Sequence, residues 1–152
     1  MSINVDFTWR LPNAFTTQLT VQQQDTDRLG HTNNVSYLRW LEAIAWEHME
    51  SLNCGWHVNE QTGKAMAIIH TEIDYLAASY AKESLMLGTW ITSSDLRFQS
   101  ERQFQLYRIS DKKLLLSALM RFVCIDLKTG KACKMSPELV SAHTQALKAI
   151  AH

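Results

Sequence analysis

The chain has 152 residues, about one domain's worth of sequence, and two compact halves would each be near the size where a single core turns marginal. Its 46% hydrophobic and 20% charged residues are those of a soluble globular protein, and fifteen basic residues balance fifteen acidic ones. Zero formal charge excludes a general electrostatic pull toward nucleic acid, an anionic membrane or a polyacidic ligand. Three cysteines without metal-ligand spacing predict a reducing, cytoplasmic setting and argue against a disulfide framework. No run approaches the roughly 20 apolar residues of a membrane span, and MSINVDFTWRLPN lacks the apolar core of a secretory signal.

Residues 1–14 read as a polar leader to a single domain over 15–152. Phe15, Thr17, Leu19 and Val21 share one parity, the alternation of a strand with one wet face. From Asp25 to Asn34 the chain is rich in turn and capping residues. A long helix follows from about Asn34 to Leu52, with Val35, Leu38, Leu41, Ala45, Met49 and Leu52 at three- and four-residue spacing and Asn33 or Asn34 as N-cap. Trp40, Ile44 and Trp46 widen its apolar zone, which predicts burial on more than one side. After Asn53–Trp56 the sequence reads as a loop to Gly63-Lys64.

Four strands are predicted next: Met66–Ala77, Ser84–Thr92, Arg102–Ile109 and Leu114–Leu127, the last apolar at every even position from Leu114 to Cys124, as in a central strand. Short turns between them imply antiparallel pairing. Ser136 followed by Pro137 opens a terminal helix. An antiparallel sheet must bury its apolar face, and the long helix is the available cover. The expected class is therefore α+β, a curved antiparallel sheet around a central helix, with the outer parity and edge strands predicted to pair with a second subunit.

Asp25-Thr26-Asp27-Arg28-Leu29-Gly30-His31-Thr32-Asn33-Asn34 carries the candidate chemistry. Two carboxylates and a histidine precede a helix start, where unpaired amides and the positive end of the helix dipole stabilise negative charge. That pairing suits hydrolysis of an activated carbonyl, one group supplying or activating the nucleophile and the other holding the oxyanion. Three alternatives stand beside it: capping of a turn by Asp25 and Asp27, a metal site from Asp25, Asp27 and His31, and a calcium loop. The last fails because Leu29 and Ser36 occupy ligand positions and a strand precedes the loop.

The run from Asp25 through Tyr37 to Trp40-Leu41-Glu42-Ala43 resembles the signature of the 4-hydroxybenzoyl-CoA thioesterase family, D-x-D-x-x-G-H-x-N-N-x-x-Y followed by W-x-E or W-L-E. Phe122–Lys131 ahead of Pro137 is similar to the family's last strand and turn, so the resemblance spans roughly residues 15 to 140. It implies a hotdog fold and a homo-oligomeric acyl-CoA thioesterase without metal or cofactor. Residue by residue, it implies that Asp27 is nucleophile or general base and that the Asn34 amide polarises the thioester carbonyl. Gly30 would allow the tight turn, and His31 would orient substrate or water or else pack within the loop. Tyr37 and Glu42 match helix positions and are candidates for substrate contact, with a structural role open for each. A thioester is already activated, so an ionised carboxylate needs no further base.

Cys54, Cys124 and Cys133 read as packing residues, and the scattered His48, His57, His70, His143 and His152 as surface or core filler rather than ligands. Lys82, Arg97, Arg102, Lys128 and Lys131 are surface candidates for the CoA phosphates. The expected activity is hydrolysis of a fatty or aromatic acyl-CoA to acid and CoA. The alternatives are hydrolysis of an acyl-acyl carrier protein, a hotdog dehydratase and a non-catalytic acyl-CoA-binding module.

Overall fold

Alternation along the chain builds five strands, and the computed structural model, which describes residues 7–151, joins them into one antiparallel sheet. In chain order they are β1 (Phe15–Thr20), β2 (Lys64–Tyr75), β3 (Ser84–Ser94), β4 (Gln99–Arg108) and β5 (Leu114–Asp126). Their spatial order is β1-β3-β4-β5-β2. The alternation of β5 thus belongs to an interior strand, between β4 and β2, while β1 and β2 form the edges. One-residue register slips at Ile68/His70 in β2 and at Ile91/Ser93 in β3 bend their strands, as bulges do.

Helix α1 (Asn34–Ser51) covers the concave side. Tyr37, Leu41 and Ile44 pack on Leu85 and Leu87 of β3, Phe104 and Leu106 of β4 and Ala118 and Met120 of β5. Leu41 and Ile44 are essentially inaccessible, and each such burial stabilises by about 1.5–3 kcal/mol. This is the expected α+β architecture. The expected burial of α1 on more than one side is met in part: Ser36, Tyr37, Leu41, Ile44 and Ala45 are covered, and Met49 and Leu52 pack in a second cluster with Leu139 and Ala142, whereas Val35 (68% exposed) and Trp46 (45%) face outward. A single sheet covers one stripe of a helix, and the terminal helix extends that cover only over the last turns of α1.

Two segments depart from the sequence reading. The predicted loop before Lys64 contains a two-turn helix, α2 (Trp56–Thr62), entered from Gly55 and ended by Gly63 at φ +72°. At seven residues it is too short to display a periodicity. Residues 7–12, read as a polar leader, lie on the sheet's other face. Phe7 and Trp9 pack with Tyr107, Trp9 lies over Gly88, and Trp90 Nε1 donates to the Pro12 carbonyl. They cover part of the outer parity that the sequence reading gave to a second subunit. The terminal helix α3 (Pro137–Ala149) starts as predicted, with Ser136 Oγ accepting from the Leu139 amide.

Candidate active site

The loop between β1 and α1 folds on itself through backbone bonds that close it. Thr26 and Thr32 form a bridge, the Asp27 amide donates to the His31 carbonyl at 2.8 Å, and the Gly30 amide donates to the Asp27 carbonyl at 3.0 Å. Gly30 sits at φ +79° with open space where a Cβ would be, so backbone angle rather than crowding calls for glycine. Asn33 is the N-cap of α1, its Oδ1 accepting from the Ser36 amide at 2.8 Å.

The two aspartates of the motif divide their work. Asp25 is 4% exposed; its Oδ2 accepts from the Gln22 amide (2.9 Å) and its Oδ1 from Arg39 Nη2 (2.6 Å) and Ser36 Oγ (3.4 Å). Its carboxylate is spent tying the loop to α1 and is not available as a metal ligand. Asp27 is exposed, and its Oδ1 accepts from the amides of Leu29 (2.8 Å) and His31 (3.2 Å). Among the described residues nothing bonds Oδ2, which leaves one oxygen of an oriented carboxylate for chemistry.

Asp27 and His31 line a cavity of about 290 Å³ with Tyr37 and, from the end of β2 onward, Tyr75, Leu76 and Ala77. Its floor is held by hydroxyls: Ser79 Oγ is 2.6 Å from Thr32 Oγ1 and 2.8 Å from the Tyr37 hydroxyl, all three groups buried. The Tyr37 hydroxyl therefore bonds within the wall, and its ring packs against those of Trp40 and Tyr75. The His31 ring stands edge-on to Tyr80, centroids 5.2 Å apart, and has no hydrogen bond to Asp27. Asn34 opens α1, and among the described residues its backbone N–H has no acceptor, as expected of a first-turn amide.

Of the sequence candidates, Asp27, His31 and Tyr37 thus meet around one cavity, Gly30 shapes the loop, and Asn34 begins the adjoining helix. Glu42 does not join them. It lines a second cavity farther along α1 with Ala45, Met49 and Arg102. Ser79 was missed, since a lone serine in a loop carries no pattern. Arg102 is corrected: it is 3% exposed, so it cannot meet CoA phosphates at a surface. Its Nη1 donates to His48 Nδ1 at 2.9 Å and to Thr89 Oγ1 at 3.2 Å. Burial, and then the Arg102 charge, push the pKa of His48 down to about 3. Burial likewise lowers that of His143, whose Nδ1 meets the Leu139 carbonyl at 2.7 Å.

A bent antiparallel sheet thus lies around one helix, with a carboxylate at that helix's entrance. A match to the thioesterase-like superfamily covers residues 21–143, and the chain belongs to that family. It is 28% identical over 134 residues to the long-chain acyl-CoA thioesterase FadM of Escherichia coli, covering 87% of this chain and 98% of FadM. Its fold is that of Slr0204, a 1,4-dihydroxy-2-naphthoyl-CoA thioesterase from Synechocystis (TM-score 0.77, 20% identity, 87% of this chain and 96% of that one). It is also that of SAV2348 from Staphylococcus aureus, solved in complex with CoA (TM-score 0.84, 13% identity, 95% and 90%). The hotdog fold implied by the sequence motif is thereby established. Among the described residues, no helix is long and apolar enough to cross a membrane.

Proposed function

We propose that this protein hydrolyses acyl-CoA thioesters to the free acid and CoA, with Asp27 as the catalytic carboxylate. The observation that carries this reading is the pair of unlike aspartates: Asp25 is consumed by Arg39 and the loop, while Asp27 borders a cavity with one oxygen unbonded. FadM and the naphthoyl-CoA thioesterase lend the substrate class.

In the reaction, the thioester carbonyl lies between Asp27 Oδ2 and the start of α1. Either Oδ2 adds to the carbonyl carbon, expelling the CoA thiolate to leave an anhydride that water opens, or it takes the proton of an attacking water. Both routes build negative charge on the carbonyl oxygen, which the Asn34 amide and the dipole of α1 stabilise. Gly30 lets the loop turn close to that oxygen, His31 walls the acyl side, and Tyr37 offers its ring to the acyl group. Three free thiols, Cys54, Cys124 and Cys133, suit a cytoplasmic enzyme.

The active unit in this reading is a homo-oligomer of this single domain, joined through β2. This strand leaves one edge unpaired within the chain and exposes Ile69 (56%) and Tyr75 (52%), with Leu76 (55%) just beyond it, beside the Asp27 cavity. A row of free strand amides flanked by apolar side chains is a template for a second copy.

Thiol release from decanoyl-, palmitoyl- and benzoyl-CoA tests the activity, with Asp27→Asn as the control. Turnover of at least one ester, lost in the variant, is the expected result. Native turnover by Asp27→Asn would remove the assignment, and binding of acyl-CoA with no thiol released would make the protein a binding module. Light scattering tests the assembly: the native chain elutes as a dimer or larger, and Ile69→Lys shifts it toward monomer.

A further inference from the structure

The second cavity, about 230 Å³, lies between α1, α3 and the sheet. Its walls are largely apolar, with Ala45, Met49, Met66, Ile68 and Phe122 among them. Yet a full cation lines it. Arg102 is 3% exposed, and both of its hydrogen bonds leave from Nη1, to His48 and Thr89. Among the described residues none forms an ion pair with it.

Neither partner compensates the charge. Thr89 is neutral, and His48, accepting through Nδ1 and held deprotonated by burial and by Arg102 itself, is neutral as well. A buried charge without a counter-ion is costly. Its presence beside an apolar cavity is what recognition of an anion with an apolar body requires. With Nη1 committed, the Nε–Nη2 edge remains, two parallel N–H donors spaced for the two oxygens of a carboxylate. Ser100 and Asn59, both buried, add polar groups to the lining. The one acid among the lining residues, Glu42, is exposed. The volume is below the roughly 300–1,000 Å³ of sites that enclose a whole drug-sized ligand, so it suits a short chain or the end of a longer one.

We propose that this cavity binds an unbranched aliphatic carboxylate, its two oxygens on the Nε–Nη2 edge of Arg102 and its chain along Ala45, Met49 and Phe122. The carboxylate has two possible sources: a free fatty acid, or the distal acid group of an acyl chain whose thioester end lies elsewhere. The site itself does not depend on the thioesterase reading; only the second arm of the test uses it.

In the first arm, calorimetry measures binding of octanoate and of its uncharged counterpart octanamide to the full-length protein. Octanoate binds at least about tenfold tighter, the worth of a charge-assisted bond. Arg102→Met brings the two within about twofold, and thermal melts establish that the variant is folded. Ala45→Phe fills the cavity with Arg102 intact and weakens octanoate about tenfold or more, which keeps the test sharp if Arg102→Met fails to fold. In the second arm, thiol release compares octanedioyl-CoA with octanoyl-CoA; a preference for the diacid ester that Arg102→Met erases assigns the distal acid as the source.

Octanoate selectivity without diacid preference assigns free fatty acid, and an Arg102-dependent preference in either arm upholds the site. Equal binding of octanoate and octanamide together with no diacid preference overturns it, as does selectivity that survives Arg102→Met. If octanoate binds selectively while no acyl-CoA is hydrolysed, the thioesterase reading fails and this site stands.

Discussion

Substitutions of Asp25 and Asp27, two residues apart, should separate stability from catalysis. Asp25 holds the Gln22 amide at 2.9 Å, a cap-like bond worth about 1 kcal/mol. It also receives Arg39 Nη2 at 2.6 Å, but the Arg39 side chain is 57% exposed, so solvent screening limits that pair to about 0–1 kcal/mol. The longer bond from buried Ser36 adds about another 0.5–1 kcal/mol. Asp25→Ala should thus cost about 1.5–3 kcal/mol of unfolding free energy. Asp27→Asn retains an Oδ1 to accept from Leu29 and His31, so its stability should stay within about 0.5 kcal/mol of native. Its hydrolysis of acyl-CoA should fall by about 10²–10⁴-fold, the worth of a positioned acid–base group. Urea unfolding and thiol release on the same preparations measure both. An Asp27→Asn protein that unfolds like Asp25→Ala but turns over normally would refute the division of labour.

Three further outcomes are expected. His48 ordinarily titrates near 6.5 and is held down to about 3, so below pH 6.5 the unfolded chain takes up a proton that the folded one refuses. Stability is therefore full above that pH and falls by about 1.4 kcal/mol per unit as the solution is acidified toward 3. His48→Gln should flatten the loss between pH 7 and 5, and a native protein equally stable at both values would contradict the buried neutral imidazole. Gly88→Ala sets a Cβ about 2.5 Å from the Trp9 ring, so residues 7–12 must shift; chemical denaturation should register a loss of about 1–3 kcal/mol. No loss would mean that this segment is not part of the packed domain. Ser79→Ala leaves the buried Tyr37 hydroxyl without its partner, while Thr32 Oγ1 keeps the Ser79 carbonyl, and should cost about 1–3 kcal/mol by thermal unfolding; native stability would show that the Tyr37 hydroxyl does not depend on it.

Much of the framework was legible in the residues themselves. The alternation of β5, the Asn33 cap and the Ser136-Pro137 start of α3 express local geometry, which a side chain or a fixed φ dictates without help from distant chain. The candidate loop could be found because its Asp, Gly and Asn residues serve short-range bonds within about ten positions. Their division into a tether and a free carboxylate could not, since it turns on Arg39 and on the cleft wall supplied by β2 and the residues beyond it.

Strand order, with β1 beside β3 and β2 beside β5, was likewise set by contacts between segments far apart in the chain, for which no local pattern codes. The same holds for Arg102 and its histidines. In the sequence it is one charge among polar neighbours, although it shares the parity of Phe104 and Leu106, and only the packing of the assembled fold sets it beside His48 and Thr89, with no counter-ion among the described residues. Local chemistry named the elements and the motif; burial, a property of the assembled whole, decided which of the charged groups were structural and which were left to act.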